Sequence, residues 1–238
     1  MIETDKSNYI KKIFAEVPAT YERINHILTL GLDTVWRKRI AKLASTIKPE
    51  TCVDMCSGTG ETAAYLSKYL PQETKITAVD FSPEMLAEAK KKPMAHKVEF
   101  VISDIKNLPF PDNQFDLVTM SFATRNINLD KETLTSSFAE YYRVLKPGGH
   151  FINLETSQPP NAIIRKLVHL YINIFIKRIG QKISGSKTGY AYLANSIPRF
   201  YSAEELAQIM KDAKFEKVNF KRLLFGVAAI HHAVKTET

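Results

Sequence analysis

A glycine turn between an apolar run and a helical run constrains this chain more than any other feature. Thr51-Cys52-Val53-Asp54-Met55 is largely apolar or β-favouring, as in a buried parallel strand. Gly58 and Gly60 follow, one residue apart, and after Glu61 the pattern turns helical through Ala63, Ala64, Leu66 and Leu70. Glycines at such a turn admit positive φ and close approach of a ligand, and the helix start behind them offers free N–H groups. Alone, the turn is equally a plain strand-to-helix connection.

The next strands add to it. Lys75-Ile76-Thr77-Ala78-Val79 ends in Asp80 and Phe81, about 20 residues past the glycines, where nucleotide-binding α/β sheets place an acid for ribose hydroxyls. Val98–Ile102 runs into Asp104-Ile105, and a carboxylate there can accept from an adenine amine. Phe115–Met120 runs into Ser121. In an open α/β sheet these strand tips face the ligand crevice. The dinucleotide pattern G-x-G-x-x-G is absent, since Ala63 holds its last position, and so is a Gly-Lys-Ser/Thr phosphate loop.

Asp54-x-x-x-Gly58-Thr59-Gly60, Asp80, Asp104-Ile105, Phe115-Asp116-Leu117-Val118 and Leu145-Lys146-Pro147-Gly148-Gly149 together resemble the class I S-adenosylmethionine (SAM)-dependent methyltransferases. The resemblance implies a Rossmann-like α/β fold with a seven-stranded, mostly parallel sheet whose last strand is antiparallel. It implies SAM as cofactor, leaving as S-adenosylhomocysteine, and no metal. The Gly58–Gly60 loop would hold the amino-acid end, Asp80 the ribose diol, and Asp104 with the Ile105 backbone the adenine. Asp54, Thr59, Phe81 and Ser121 complete the implied cofactor set.

A narrower resemblance covers nearly the whole chain. Pro18-Ala19-Thr20-Tyr21-Glu22-Arg23-Ile24-Asn25 with Gly31, Trp36 and Arg37, then Ser121-Phe122-Ala123-Thr124-Arg125-Asn126, Tyr190–Ile197 and Gly226–His231 are similar to the ubiquinone/menaquinone C-methyltransferases of UbiE type. Glu22 and Glu61 stand where that family has Asp, and Ala123 where it has Gly, which bears on the fit of the substrate more than on the reaction. The implied substrate is a lipophilic polyprenylated quinol, demethylmenaquinol first and a ubiquinone-pathway benzoquinol second. Arg125, Asn126 and Tyr21 are the implied catalytic residues. Arg125 would stabilise a phenolate or act through a water, or else pair with a carboxylate such as Glu155. Tyr21 would close over the cofactor or contact the ring, or else pack as a core aromatic. His231 matches a family position, although either His231 or His232 can equally be a core or surface histidine.

Residues 1–238 are expected to form a single domain: an N-terminal helical lid over 1–47, the cofactor core over 48–156, a cap insertion over 157–200, and a closing helix and strand pair over 201–238. Asp33 is expected to cap the third N-terminal helix, and Ser202 a helix over 202–213. A helix is expected over 130–146, a fifth strand over Phe151–Glu155, and final strands over Phe215–Phe220 and Leu223–Val234. The stretch 161–187 is basic and apolar with no acid, as in a helix lying on a membrane interface or a cap covering the sheet or a second subunit. A homodimer and a peripheral membrane contact are both compatible with it.

A net charge of +8 fits nucleic acid, an anionic membrane or a lysine-rich proteome. An RNA methyltransferase lacks support, because Ser-Phe-Ala-Thr stands where an Asn/Asp-Pro-Pro-Tyr/Phe motif would, and no nucleic-acid partner is expected. With two cysteines, Cys52 and Cys56, no apolar signal region and no spanning run, a cytoplasmic location is the expectation.

Overall fold

The computed structural model describes residues 22, 25–26, 29–176 and 194–236. Most of the expected N-terminal lid, Tyr21, and the cap from Lys177 to Leu193 lie outside the described residues.

Helix α1 (Leu32–Ile47) leads into strand β1 (Thr51–Met55), then α2 (Glu61–Tyr69), β2 (Lys75–Asp80), α3 (Pro83–Ala89), β3 (Val98–Ile102) and β4 (Phe115–Ser121). A short α4 (Thr124–Ile127) precedes α5 (Lys131–Val144), β5 (Leu145–Thr156) and α6 (Ala162–Tyr171). The chain closes with α7 (Ala203–Asp212), β6 (Lys217–Leu223) and β7 (Ala228–Val234). The seven strands form one sheet in the order β3-β2-β1-β4-β5-β7-β6. Strands β1 to β5 pair in parallel, and β7 runs antiparallel between β5 and β6. The expected fold class is therefore the one observed. The strand order reverses between β1 and β4, which opens a crevice beyond their carboxyl ends.

Each sheet face carries its own core. Trp36, Ile40, Ala41 and Ala44 recur at helical spacing along α1 and pack with Leu66 of α2 against Leu117, Ile152 and Leu154. On the other face Phe138 and Tyr141 of α5 meet Phe151 and Phe215, with ring centroids 5.3–5.7 Å apart in the contacts of Phe151 with Tyr141 and Phe215, and of Tyr142 with Phe215. Such fully buried side chains are worth roughly 1.5–3 kcal/mol each relative to exposure.

Several expected boundaries move. Gly31, at φ 78, is the N-cap of α1, and Asp33 lies inside its first turn. Left-handed backbone at the cap suits glycine, so the capping role falls to it. Strand β5 starts at Leu145 rather than Phe151, because Gly148 and Gly149 exchange backbone hydrogen bonds of 2.9 Å with Lys235 and extend the pairing. The expected strand Leu223–Val234 is split. Leu223 ends β6, and a turn with Leu224 and Phe225 at φ 42 and 56 precedes β7. Ser202 caps α7 as expected, with Glu205 closing a capping box. The described part of the cap includes α6, a π-helical turn over Ile172–Ile176 and a short 3-10 turn over Ile197–Arg199.

Candidate active site

The carboxyl ends of β1, β2 and β4 and the turn after β3 open on one cavity. Asp54, Gly58, Thr59, Asp80, Phe81, Asp104, Ile105, Ser121 and Asn126 all line it. The sequence placed each of these at the site. Two others are not on its wall. Gly60 sits behind the turn, where an added Cβ would lie 2.7 Å from Met94 Cε and 3.0 Å from Ala89 Cβ. Arg125 is buried within α4. Its backbone N–H donates to Glu155 Oε2 at 3.1 Å and its Nη1 donates to Ser196 Oγ at 2.8 Å. The contact with Glu155 is made by the Arg125 backbone, and a guanidinium bond goes to Ser196.

Asp54 ends β1 almost fully buried, so its charge is costly. Burial pushes its carboxyl up to about 6, although the hydroxyls of Thr119 and Ser57 donate to it at 2.7 and 2.8 Å and oppose the rise. Asp80 ends β2. Burial raises it too, against backbone N–H bonds from Ser82 at 2.9 Å and Gly58 at 2.8 Å. The Gly58 bond ties the glycine turn to the neighbouring strand tip.

Residues ahead of β1 line the cavity too: Glu22, Asn25, Asp33 and Arg37. Arg37 Nη1 donates to Thr62 Oγ1 of α2 at 2.7 Å, and its guanidinium lies 5.1 Å from the Phe122 ring centroid. Lys92 Nζ donates to both Glu22 Oε1 and Glu61 Oε1 at 2.5 Å, so the two glutamates that depart from the family pattern share one ammonium. Burial pushes Glu61 up, but the bond and charge of Lys92 outweigh it and hold Glu61 below the usual carboxylate range. Sequence reasoning gave Asp33 a capping role and Arg37 none. The Trp36-Arg37 pair, with both residues buried on α1, was the available signal.

His231 is not at this site. It is buried in β7, and its Nε2–H donates to the Ala203 carbonyl at the start of α7 at 2.9 Å. Burial pushes it down to about 4. His232 faces the other way, with its Nε2 2.8 Å from His150 Nδ1.

The donor set suits a cationic, hydroxyl-rich ligand. Three carboxylates, Asp54, Asp80 and Asp104, converge with the glycine turn, and a Cβ added at Gly58 would meet nothing within 4 Å. Ser121 Oγ and Asn126 Oδ1 are buried with no hydrogen-bond partner among the described residues. A sulfonium with an amino acid and a ribose answers these groups; a polyphosphate would be repelled. Among the described residues, no cluster of three or more His, Cys, Asp or Glu is placed to hold a metal.

The sequence pattern of the ubiE/COQ5 methyltransferase family matches residues 2–235. The chain belongs to that family. Its enzyme relatives include the ubiquinone/menaquinone biosynthesis C-methyltransferase UbiE of Desulfotalea psychrophila, 35% identical over 95% of this chain and 90% of the relative. The demethylmenaquinone methyltransferase of Chlorobaculum tepidum is also 35% identical, over 99% of this chain and 96% of its own. In fold, the chain is similar to SAM-dependent methyltransferases from Thermotoga maritima (TM-score 0.60, 19% identity, 95% of this chain and 100% of that one) and Aquifex aeolicus (TM-score 0.54, 21% identity, 78% and 81%). This family member is a SAM-dependent C-methyltransferase, and the carboxylate-rich cavity fits that cofactor.

Proposed function

We propose that the enzyme transfers the methyl group of SAM to a ring carbon of a polyprenylated demethylmenaquinol, giving menaquinol. C-methylation in quinone biosynthesis follows from family membership. The observation that carries the choice of an aromatic acceptor is the composition of one cavity. The cofactor carboxylates at one end meet Phe122, Ala123, Ile127 and Leu129 at the other, with the Asn126 amide among them.

Bound SAM supplies a methyl group already activated by its sulfonium. The protein's work is to align the ring carbon and exclude water. In this reading Asp54 and the Gly58 turn hold the amino-acid end, Asp80 the ribose, and Asp104 with Ile105 the adenine. Asn126 Oδ1 accepts from a ring hydroxyl, and the Phe122 and Ile127 side chains flank the ring. Arg125 acts from behind as a positioning residue, joining α4 to β5 through Glu155 and to Ser196 of the cap.

The lipid tail gives the cap a role. Ile163, Leu167, Leu170 and Ile174 form one helical stripe, 71%, 61%, 55% and 38% exposed. The exposed Leu224–Phe225 turn is adjacent, since Gly226 packs against Pro159 and Pro160 just before α6. Between Glu155 and Glu204 the sequence has seven Lys or Arg and no acid. This face is proposed to rest on an anionic bilayer from which the quinol enters. No helix among the described residues is long and apolar enough to cross a membrane.

Methyl-labelled SAM, offered with short-chain naphthoquinols, benzoquinols and tRNA, tests the reaction by mass spectrometry. Label on a naphthoquinol ring carbon is expected. Label on benzoquinol alone would move the enzyme to the other quinone branch, and label on tRNA would overturn the proposal.

A further inference from the structure

Quinol C-methylation releases one proton per turnover, and a ring hydroxyl must lose its proton before the ring carbon can attack. We propose that Asp33 and His26 form the relay that takes this proton out of the cavity; the inference rests on the quinol reading above. Asp33 is 4% exposed and lines the cavity. The cofactor carboxylates stand at or just beyond strand ends, whereas Asp33 is carried in the first turn of α1. One turn further on, Arg37 covers the Phe122 ring, and the Trp36 ring centroid is 6.2 Å from that of Phe122. The start of α1 is thereby packed against the loop that carries Ala123 and Asn126, the acceptor end.

Asp33 Oδ1 accepts the Thr29 hydroxyl at 2.8 Å and lies 3.1 Å from His26 Nδ1. The two side chains face different media: that of Asp33 is 6% exposed and that of His26 57%. A buried carboxylate on the cavity wall is thus joined to an imidazole that reaches water. The Thr34 hydroxyl lies 3.2 Å from the same Nδ1. Glu22, Arg37, Asp54 and Glu61 are charged groups sharing the cavity with Asp33.

The steps balance as follows. Asp33 takes the hydroxyl proton, and the oxygen's electron pair moves into the ring. The ring carbon forms its bond to the methyl group as the S–CH3 bond breaks, its pair staying on sulfur. The methylated ring carbon then loses its hydrogen as a proton to water while the ring oxygen takes a proton back from water. This restores aromaticity and the hydroxyl and leaves the proton on Asp33 as the one released per turnover. The proton on Asp33 passes to His26 Nδ1, and Nε2 releases one to water. A carboxylate base with an imidazole shuttle is ordinary general-base chemistry.

Three variants test the relay on a naphthoquinol that the wild type methylates, so that failure of the quinol reading is seen separately in the wild-type control. Asp33→Asn keeps the Thr29 contact and removes the base. Its kcat is expected to fall about a hundredfold or more, while its SAM affinity by titration calorimetry stays within about threefold of wild type. Asp33→Glu, which keeps a carboxylate, should turn over faster than Asp33→Asn. His26→Ala should lose about tenfold in kcat and regain it as free imidazole is added, with the wild type insensitive to imidazole. Near-wild-type kcat in Asp33→Asn overturns the relay. So does loss of SAM binding in that variant, which would give the carboxylate to the cofactor. An undiminished His26→Ala rate, or one that imidazole leaves low, removes the shuttle.

Discussion

Asp80 Oδ2 accepts the backbone N–H of Gly58 at 2.8 Å, so the tip of the second strand holds the turn that follows the first. The same carboxylate accepts from Ser82 through its other oxygen. The shape of the glycine turn therefore depends on one side chain, and in the proposed function ribose recognition rests on the same one.

Asp80→Ala is expected to lose both. SAM affinity should fall about a hundredfold or more, since charge-assisted bonds are the stronger class and the turn loses its tether. Isothermal titration is the measurement, and wild-type affinity would refute the assignment.

Gly58 and Gly60 should separate stability from binding. A Cβ at Gly60 strikes Met94 and Ala89, at φ 78. Gly60→Ala is expected to cost about 1–3 kcal/mol, read as a Tm lowered by roughly 2–4 °C per kcal/mol for a domain of this size. At Gly58 the space is open and faces the cavity. Gly58→Ala should lower SAM affinity with a smaller change in Tm. The reverse order of effects would contradict the roles given to the two glycines.

In the proposed function, Asp54 links cofactor binding to protons. Its carboxyl, at about 6, lies above its unfolded value of 3.8, so the fold favours the protonated form. That contribution to stability is full below 3.8 and is lost as pH rises through about 6, roughly 3 kcal/mol in all. A cation placed beside Asp54 favours the carboxylate. SAM binding near pH 6 should therefore release roughly half a proton, and almost none at pH 8. Calorimetry in buffers of different ionisation enthalpy reads this directly; identical heats at pH 6 would exclude Asp54 from the cationic end.

His231 works with the opposite sign. Its imidazole titrates at about 4, below the ordinary 6.5, so the fold favours the neutral ring. Its contribution is present above 6.5 and is lost as pH falls towards 4, roughly 3 kcal/mol. His231→Gln keeps a donor for the Ala203 carbonyl and should flatten the acid limb of urea midpoints between pH 6.5 and 4. A limb as steep as the wild type would place the acid sensitivity elsewhere.

The exposed apolar face makes a further claim. Leu167→Glu combined with Phe225→Glu should abolish sedimentation with anionic vesicles at low salt while leaving SAM affinity unchanged. Unaltered co-sedimentation would remove the bilayer from the proposal, and a change in the enzyme's own sedimentation coefficient would assign the face to a second copy.

Much of this site was legible because its signals are local. Asp54, Asp80, Asp104 and Ser121 each stand at or just beyond the end of a short strand, and strand periodicity with tip chemistry finds them. Contacts distant in sequence were less legible. Arg125 turns away from the cavity towards Ser196, 71 residues on, and nothing near Arg125 encodes that. Lys146-Pro147-Gly148-Gly149 reads as a turn but is drawn into β5 by Lys235. Asp33 has the chemistry of a cap, yet the left-handed backbone at Gly31 takes the cap and turns the carboxylate to other uses.

That contact with Lys235 bears on how the chain is made. Its ammonium donates to the carbonyls of Tyr142 and Leu145 and to the Asn113 amide oxygen, and β7, which it follows, fills the gap between β5 and β6. During synthesis β7 emerges after both of the strands it pairs with. Until then β5 presents a bare hydrogen-bonding edge, so the nascent enzyme is most vulnerable to mispairing in the interval between the emergence of β5 and that of β7.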